Sequence, residues 1–291
     1  MIPKFELHLP ETAAQVCELL DRLEGKVLVV AGGTDVMVEL HGGKLRPDHL
    51  VDLKQVAELR EIRGDAASGL DMGAMVTHHE IETDPRILRD YPILFQGVNT
   101  VGSLQVRSRG TIGGNICTAA PSADGIGPLL VLNARCTIRG VGGERTLPLV
   151  ELFTGPRQTV LKKDEILTRI QIPAVAGKRG EAYYKYGRRK AMEIALMGIS
   201  AYLIPEEDGR TCREARIALA TSAPVPIRVP GTEAFLKGKD LSDSAILQEA
   251  GKLVLEEARP RSSWRSSAEF RRELLENLLP VTLRRAYESI R

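Results

Sequence analysis

The chain has 291 residues, of which 43% are hydrophobic and 27% charged, and its formal net charge at pH 7 is +2. This composition is typical of a globular protein long enough for two domains. The absence of a basic stripe and the scarcity of aromatic residues argue against nucleic-acid binding, and no apolar run approaches the roughly 20 residues that a membrane-spanning helix needs.

The first predicted elements form a small α/β unit over residues 1–55. Apolar side chains recur at helical spacing over residues 11–24, which predicts an amphipathic helix. Residues 27–30 are a run of valine and leucine typical of a buried strand, and residues 50–53 predict a second strand. We therefore expect a helix and two short strands in this unit.

The middle of the chain alternates helices and strands. Residues 77–80 read Thr-His-His-Glu, a capping box that predicts the start of a helix. Further helices are predicted over about 91–101 and from 124 to about 133. Strands follow near 136–139 and over 165–172, where isoleucines alternate with other residues.

The pattern changes after residues 173–180, which are polar and rich in helix and strand breakers. The later predicted elements are strands over 182–186, 198–204 and 212–220, a hairpin turn over 206–210, and helices over 243–258 and 268–290. We predict an α+β protein with two domains. The first covers residues 1–175, in subdomains of about 1–55 and 56–175, and the second covers 180–291 with an antiparallel sheet and helices.

Two glycine-rich segments carry the strongest functional signal. Residues 31–35 read Ala-Gly-Gly-Thr-Asp, and residues 111–115 read Thr-Ile-Gly-Gly-Asn, with Pro-Ser-Ala-Asp at 121–124. Paired glycines let a ligand approach backbone N–H groups closely, and each pair lies near a hydroxyl and a carboxylate. One Gly-Gly is also typical of a tight exit from a strand. Two such segments, read as loops, predict a bound dinucleotide outside the Rossmann and P-loop schemes, whose motifs are absent, and we interpret it as a flavin.

No metal site is predicted. The four cysteines are scattered without C-x-x-C spacing, which argues against zinc, a cysteine-ligated iron–sulfur cluster or a disulfide framework. His78 and His79 are adjacent on a predicted helix, so their side chains diverge by about 100°, and no third ligand is apparent. The first residues lack a charged-then-apolar export signal, so we expect a cytoplasmic protein with reduced thiols.

Catalytic motifs are also missing. The chain contains neither G-x-S-x-G nor H-E-x-x-H, and no nucleophile–base pair is visible, so no catalytic residue is predicted. A chain that binds a redox dinucleotide without acid–base residues fits an electron-transfer component, in which the cofactor supplies the chemistry.

The whole chain resembles the FAD-binding subunit of molybdenum hydroxylases. Residues 31–35, 111–117 and 121–124 resemble that family, which includes the medium subunit of carbon monoxide dehydrogenase and the flavin subunit of bacterial xanthine dehydrogenase. Residues 191–195 (Ala-Met-Glu-Ile-Ala) and 260–265 (Pro-Arg-Ser-Ser-Trp-Arg) are similar to the xanthine dehydrogenase branch in particular. The resemblance implies a two-subdomain FAD-binding domain of the PCMH type, followed by a domain of antiparallel sheet and helices.

The resemblance also implies roles for individual residues. The backbone of residues 31–34, with Asp35, is expected to wrap the FAD diphosphate, and Asp124 to accept a hydrogen bond from a ribose hydroxyl. An aliphatic Ile194, where the carbon monoxide branch has an aromatic residue, fits the xanthine dehydrogenase-like branch. The cofactor-binding residues expected are Val29, Val30, Ala31, Gly32, Gly33, Thr34, Asp35, Thr111, Gly113, Gly114, Asn115, Thr118, Asp124, Leu167, Lys185 and Ile194.

A relay between subunits is the implied activity. A large partner with a molybdenum cofactor hydroxylates the substrate, a small partner with two [2Fe–2S] clusters passes the electrons on, and FAD in this chain delivers them to NAD+. Two other functions stay open at this point. One is a self-contained FAD-dependent oxidoreductase acting on a small molecule, which needs an acid–base residue over the flavin. The other is a non-redox nucleotide-binding module, whose purified protein is colourless.

Overall fold

The computed structural model describes residues 2–189 and 191–290. Met1, Lys190 and Arg291, which the predicted domain ranges include, lie outside the described residues. The described chain forms an α+β protein, as predicted, and its main sheets have three, five and four strands. None of the helices in these ranges combines the length and apolar character that crossing a bilayer requires.

The first sheet is parallel and belongs to the small α/β unit. Its elements are β1 (Glu6–His8), α1 (Ala13–Arg22), β2 (Val27–Val30), α2 (Val36–His41) and β3 (His49–Asp52). The strand order is β1-β3-β2, and both pairs are parallel. All three strands therefore run in the same direction, and their carboxyl ends lie side by side at one end of the sheet. The first glycine segment follows β2 and lies at the carboxyl ends of these strands.

The second sheet has five strands in the order β4-β5-β10-β6-β7, and every pair in it is antiparallel. The elements of this part are β4 (Ile62–Asp65), β5 (Gly69–Gly73), α3 (His78–Thr83), α4 (Pro85–Asp90), α5 (Pro92–Val98), α6 (Leu104–Arg107), α7 (Ile112–Thr118), α8 (Ile126–Val131), β6 (Arg135–Gly140), β7 (Gly143–Pro148), β8 (Phe153–Gly155), β9 (Gln158–Thr159) and β10 (Ile166–Ile172). Thr77 and Glu80 form the predicted capping box at the start of α3.

One prediction for this part is wrong. The second glycine segment was expected to be a loop, yet Ile112–Thr118 form helix α7. Glycine is a poor helix former, but the Thr111 side chain caps the helix by accepting from the backbone N–H of Gly114 at 3.0 Å. Gly113 is required for packing, because a Cβ atom there would lie 2.5 Å from the carbonyl oxygen of Ala74.

The third sheet is antiparallel, in the order β11-β12-β13-β14, with a helical layer against one face. Its elements are β11 (Gly180–Tyr186), β12 (Met197–Pro205), β13 (Cys212–Ala220), β14 (Ile227–Arg228), α9 (Pro230–Leu236), α10 (Ser244–Glu257) and α11 (Ala268–Glu288). The predicted strands and helices of this region are all present within a few residues.

Alternate residues of β12 face two different cores. Ile199 and Ala201 pack with the apolar side chains of the helical layer, whereas Tyr202 belongs to the core of the five-stranded sheet and its helices. Side chains alternate between the two faces of a strand, so this sheet is covered on both sides. The face that carries Tyr202 also carries Tyr183, and it lies beside α5 and α8.

Candidate functional site

The two glycine segments meet at the end of the parallel sheet. A Cβ atom on Gly32 would lie only 2.0 Å from the carbonyl oxygen of Arg109 and 2.8 Å from Cα of Gly110, so the backbones touch here. A Cβ atom on Gly114 would lie 3.5 Å from that of Ala31. Glycine is thus required at position 32, and residues that are distant in sequence form one surface.

The first segment offers several free backbone donors. No acceptor within residues 2–189 and 191–290 takes the backbone N–H of Gly32, Gly33 or Thr34. Gly33 has φ +80°, a left-handed conformation that glycine adopts without strain. Successive free N–H groups around such a turn form an anion-binding concavity. The segment therefore fits the diphosphate of a dinucleotide.

Side chains of the second segment close the other side of this concavity. The Thr118 hydroxyl donates to the carbonyl oxygen of Gly114 at 2.8 Å and lies 3.4 Å from Oδ2 of Asp35, so the two segments are in contact here. The buried Oδ1 atom of Asn115 has no hydrogen-bond partner in the described part of the chain. A buried acceptor without a partner costs free energy, so a ligand donor at this position would be stabilising.

A cavity of about 680 Å³ opens between the segments, large enough for a sizeable organic cofactor. Of the residues predicted from the sequence, most line it: Val29, Ala31, Gly32, Gly33, Thr34, Asp35, Thr111, Gly113, Gly114, Asn115, Thr118, Asp124, Leu167 and Ile194. Strand β2, helix α7, strand β10 and the segment after β11 each contribute to this wall. The structure thus brings together residues from both predicted domains.

Two predicted residues lie elsewhere. The side chain of Val30 packs with Leu40 and Leu50 behind the sheet, because successive residues of a strand face opposite sides and Val29 takes the pocket side. Lys185 does not line the cavity either. Its ammonium donates to Oδ2 of Asp124 at 2.7 Å and to the carbonyl oxygen of Thr100 at 2.9 Å, so it acts behind a pocket residue.

Asp124 is the centre of a buried polar group. Its Oδ1 accepts from the hydroxyl of Tyr183 at 2.7 Å, and its Oδ2 accepts from Lys185 at 2.7 Å. Burial raises the pKa of the Asp124 carboxyl, while the Lys185 ammonium and both hydrogen bonds oppose that rise. Burial also raises the pKa of Tyr183 well above its ordinary value, so its hydroxyl stays protonated and donates. The predicted ribose contact of Asp124 stays a prediction; each of its carboxylate oxygens has one donor and can accept a second.

His78 is a pocket residue that the sequence did not indicate. It is the first residue of α3, it lines the cavity, and its Nδ1 atom is buried without a hydrogen-bond partner in the described residues. Burial, helped by the charge of Arg107, lowers its pKa to about 4, so the ring is neutral at pH 7. The imidazole packs between Gly110 and Gly125, at positions where added Cβ atoms would meet it. The Thr-His-His-Glu capping box was visible, but not which histidine faced inward.

The mouth of the cavity is apolar. Met192 and Ile194 line it and are 58% and 46% exposed. They belong to the segment between β11 and β12, which is held against the turn between α5 and α6 because the Met192 N–H donates to the carbonyl oxygen of Gly102 at 3.2 Å. Arg157 lies at another part of the wall and pairs with Glu39 at 2.8 Å. The C-terminal domain thus frames the entrance to a pocket whose floor is the glycine segments.

The chain matches two known family models, one after the other along the sequence. Residues 3–175 match the FAD binding domain in molybdopterin dehydrogenase, and residues 182–286 match the CO dehydrogenase flavoprotein C-terminal domain. The xanthine dehydrogenase FAD-binding subunit of Escherichia coli O157:H7 is 35% identical over 273 residues, which cover 93% of this chain and 92% of that subunit. The carbon monoxide dehydrogenase medium chain of Hydrogenophaga pseudoflava is 29% identical and covers 98% of both chains.

Solved structures agree with these sequence relatives. Carbon monoxide dehydrogenase from Hydrogenophaga pseudoflava, in a form that lacks the Mo-pyranopterin moiety of its molybdenum cofactor, superposes with a TM-score of 0.95 over 100% of both chains at 28% identity. Quinoline 2-oxidoreductase from Pseudomonas putida 86 gives a TM-score of 0.92 over 99% of this chain and 98% of that chain at 30% identity.

These matches define the class of protein. The chain belongs to the family of FAD-binding domains in molybdopterin dehydrogenases. It is an FAD-binding, medium-type subunit of a molybdenum hydroxylase, and so an oxidoreductase subunit. The close-packed glycines, the free N–H groups and the unpartnered atoms of His78 and Asn115 fit a bound dinucleotide cofactor, and FAD supplies the redox chemistry when bound.

Proposed function

We propose that this chain is the flavin subunit of a xanthine dehydrogenase-like enzyme and passes electrons from [2Fe–2S] clusters of a small partner through FAD to NAD+. A large partner with a molybdenum cofactor carries out the hydroxylation of the substrate. The proposal is supported by the 35% identity to a xanthine dehydrogenase FAD-binding subunit over nearly the full length of both chains. A cytoplasmic location is part of this proposal.

The observation that carries the NAD+ assignment is the aliphatic, exposed Ile194 at the mouth of the cavity. Hydride exchange would require the nicotinamide ring to reach the flavin through this entrance, and a large aromatic side chain in place of Ile194 would narrow it. Ile194 and Met192 leave an apolar entrance instead. Apolar walls with few polar groups are typical of sites that bind small organic molecules.

The pocket offers little support for a self-contained oxidase. A general base works best when its pKa lies near the operating pH. His78 has its pKa lowered to about 4 by burial, far from neutrality. The carboxylate of Asp124 already accepts from Lys185 and Tyr183. Neither group is poised to take a proton from a substrate, which favours a role for these residues in holding the cofactor.

Anaerobic titration of the FAD-loaded full chain with NADH tests the acceptor. We expect NADH to bleach the flavin absorbance. Replacing Ile194 with tyrosine should slow this reduction without lowering the FAD content, because the residue lies at the entrance rather than in the glycine cradle. Leu88→Tyr, at an exposed position that does not line the cavity, is the matched control. A flavin that dithionite reduces but NADH does not would refute the NAD+ assignment.

The partners are tested by purification from the native host under mild conditions. We expect the chain to copurify with one molybdenum-containing chain and one iron–sulfur chain, and the substrate to be found by assaying that complex with purines, nicotinate and aldehydes. A chain that purifies alone, with FAD bound and with oxidase activity of its own, would favour the self-contained oxidoreductase.

A further inference from the structure

Two histidines and a glutamate form a cluster at the edge of the three-stranded sheet. Nε2 of His8 lies 3.2 Å from Nδ1 of His49. The carboxylate of Glu6 lies near both rings: its Oε2 atom is 3.3 Å from Nδ1 of His49, and its Oε1 atom is 3.9 Å from Nε2 of His8. One potential ligand atom from each residue therefore lies within 4.8 Å of the other two.

The backbone places these side chains together. Glu6 and His8 are two residues apart on β1, so they leave the same face of the strand. Glu6 pairs directly with His49 in the parallel ladder between β1 and β3. The histidine side chains are only 14% and 20% exposed, whereas that of Glu6 is 66% exposed. The two nitrogen atoms are thus held by the sheet, and the carboxylate is free to adjust.

The distances suit a tetrahedral metal ion. Zinc binds histidine nitrogen at about 2.0–2.1 Å, and tetrahedral geometry then separates neighbouring ligand atoms by roughly 3.3 Å. The separations of 3.2 Å and 3.3 Å agree with this value, and rotation of the exposed Glu6 side chain can shorten the third.

We propose that Glu6, His8 and His49 bind a borderline divalent cation of the zinc type, with a fourth coordination position open to water. Two imidazoles and one carboxylate are ligands that suit this class of ion. The ion would connect β1 to β3 and so hold the first strand on the sheet. The sequence predicts no metal site because His8 and His49 are 41 positions apart.

This site is separate from the cofactor pocket. Glu6 and His49 are the first residues of their strands, whereas the first glycine segment follows the last residue of β2 in the same parallel sheet. A four-residue strand spans about 13 Å. None of the three proposed ligands lines the cavity. We therefore expect metal binding to leave the FAD content unchanged.

Calorimetric titration with Zn²⁺ alone tests the proposal on the full chain, prepared without a histidine tag and stripped with a chelator. We expect one equivalent of Zn²⁺ per chain. His8→Ala and His49→Ala should each weaken Zn²⁺ binding by at least roughly a hundredfold. Loss of a residue that only supports a ligand weakens metal binding by roughly 10- to 100-fold, and loss of a ligand itself should cost at least the upper value. His41→Ala is the control, because that ring contacts the carbonyl oxygen of Met37 and lies outside the cluster.

Substitution with Co²⁺ gives a second readout. We expect the intense visible bands of a four-coordinate ion, and their loss in Glu6→Gln, whose exposed side chain can be changed without disturbing the fold. If a histidine variant fails to fold, as judged by circular dichroism, the Glu6→Gln variant still tests the proposed metal site. Zn²⁺ affinity that is absent in the wild-type chain, or equal in wild type, His49→Ala and Glu6→Gln, would overturn the proposal.

Discussion

Replacing Lys185 with methionine removes the only cation that contacts Asp124 among the described residues. Asp124 is 7% exposed, and the side chain of Lys185 is 12% exposed. Removing one partner of a buried ion pair costs about 3–5 kcal/mol, since the other charge stays buried without compensation. The hydrogen bond from Tyr183 remains, so we expect about 3 kcal/mol. At roughly 2–4 °C per kcal/mol, the melting temperature should fall by about 6–12 °C.

The loss should depend on pH. Burial already raises the pKa of Asp124, and without Lys185 it rises further. At pH values between the pKa of Asp124 in the unfolded chain and its higher pKa in the folded chain, the folded chain holds a proton on Asp124 that the unfolded chain has released. Stability of the variant therefore declines as pH rises through that range, by at most about 1.4 kcal/mol per pH unit. The loss of stability of Lys185→Met relative to the wild type should therefore be smaller near pH 5 than near pH 8.

Thermal unfolding of the chain without FAD, followed by circular dichroism at several pH values, measures both effects. Combining Lys185→Met with Asp124→Asn should recover most of the loss, because the uncompensated charge is gone. Lys252→Met is the matched control, since its side chain is 64% exposed and pairs with Glu249 only at 3.4 Å. A variant that melts with the wild type at pH 8, or a double variant no more stable than Lys185→Met, would show that the reasoning about this pair is wrong.

Further predictions concern the cofactor pocket. Gly33→Val and Gly114→Val should each abolish FAD binding, measured as flavin absorbance per folded chain after desalting. Valine at φ +80° is strained by about 1–3 kcal/mol, and a Cβ atom on Gly114 would lie 2.8 Å from Oγ1 of Thr111. Gly142→Val, in open space, should keep its flavin; normal flavin content in the two pocket variants would contradict the assignment of the cradle. His78→Leu should weaken FAD binding by about 1 kcal/mol, roughly fivefold, in a fluorescence titration without lowering the stability of the chain free of FAD; unchanged affinity would show that the ring makes no polar contact with the cofactor.

Much of the fold could be predicted because its signals are local. Thr77 and Glu80 predict the start of helix α3, because a capping box depends on only four consecutive residues. The turn over 206–210 joins two strands that pair directly, so β12 and β13 were recognised together. The glycine segments were visible for the same reason, since each is a short run of adjacent residues.

The rest depends on contacts between distant residues. Val29 and Val30 are chemically alike, and only the orientation of β2 decides which one faces the pocket. Lys185 meets Asp124 across 61 positions, so no local pattern could distinguish it from a surface lysine. His78 resembles His79 until α3 is packed, when one ring is buried and the other contacts Glu82. Such contacts depend on how strands and helices pack against one another, and local sequence patterns do not predict that packing.

The arrangement of the pocket explains why the two matched domains occur in one chain. The region over 3–175 supplies the glycine cradle and Asp124, while the region over 182–286 supplies Tyr183, Lys185 and the apolar entrance at Ile194. Docking of the C-terminal sheet therefore compensates the buried carboxylate beside the cofactor. Because a ligand stabilises the state that binds it, FAD and the C-terminal domain should each strengthen the attachment of the other. The ion pair of Lys185 and Asp124 is then as much a link between domains as a part of the pocket.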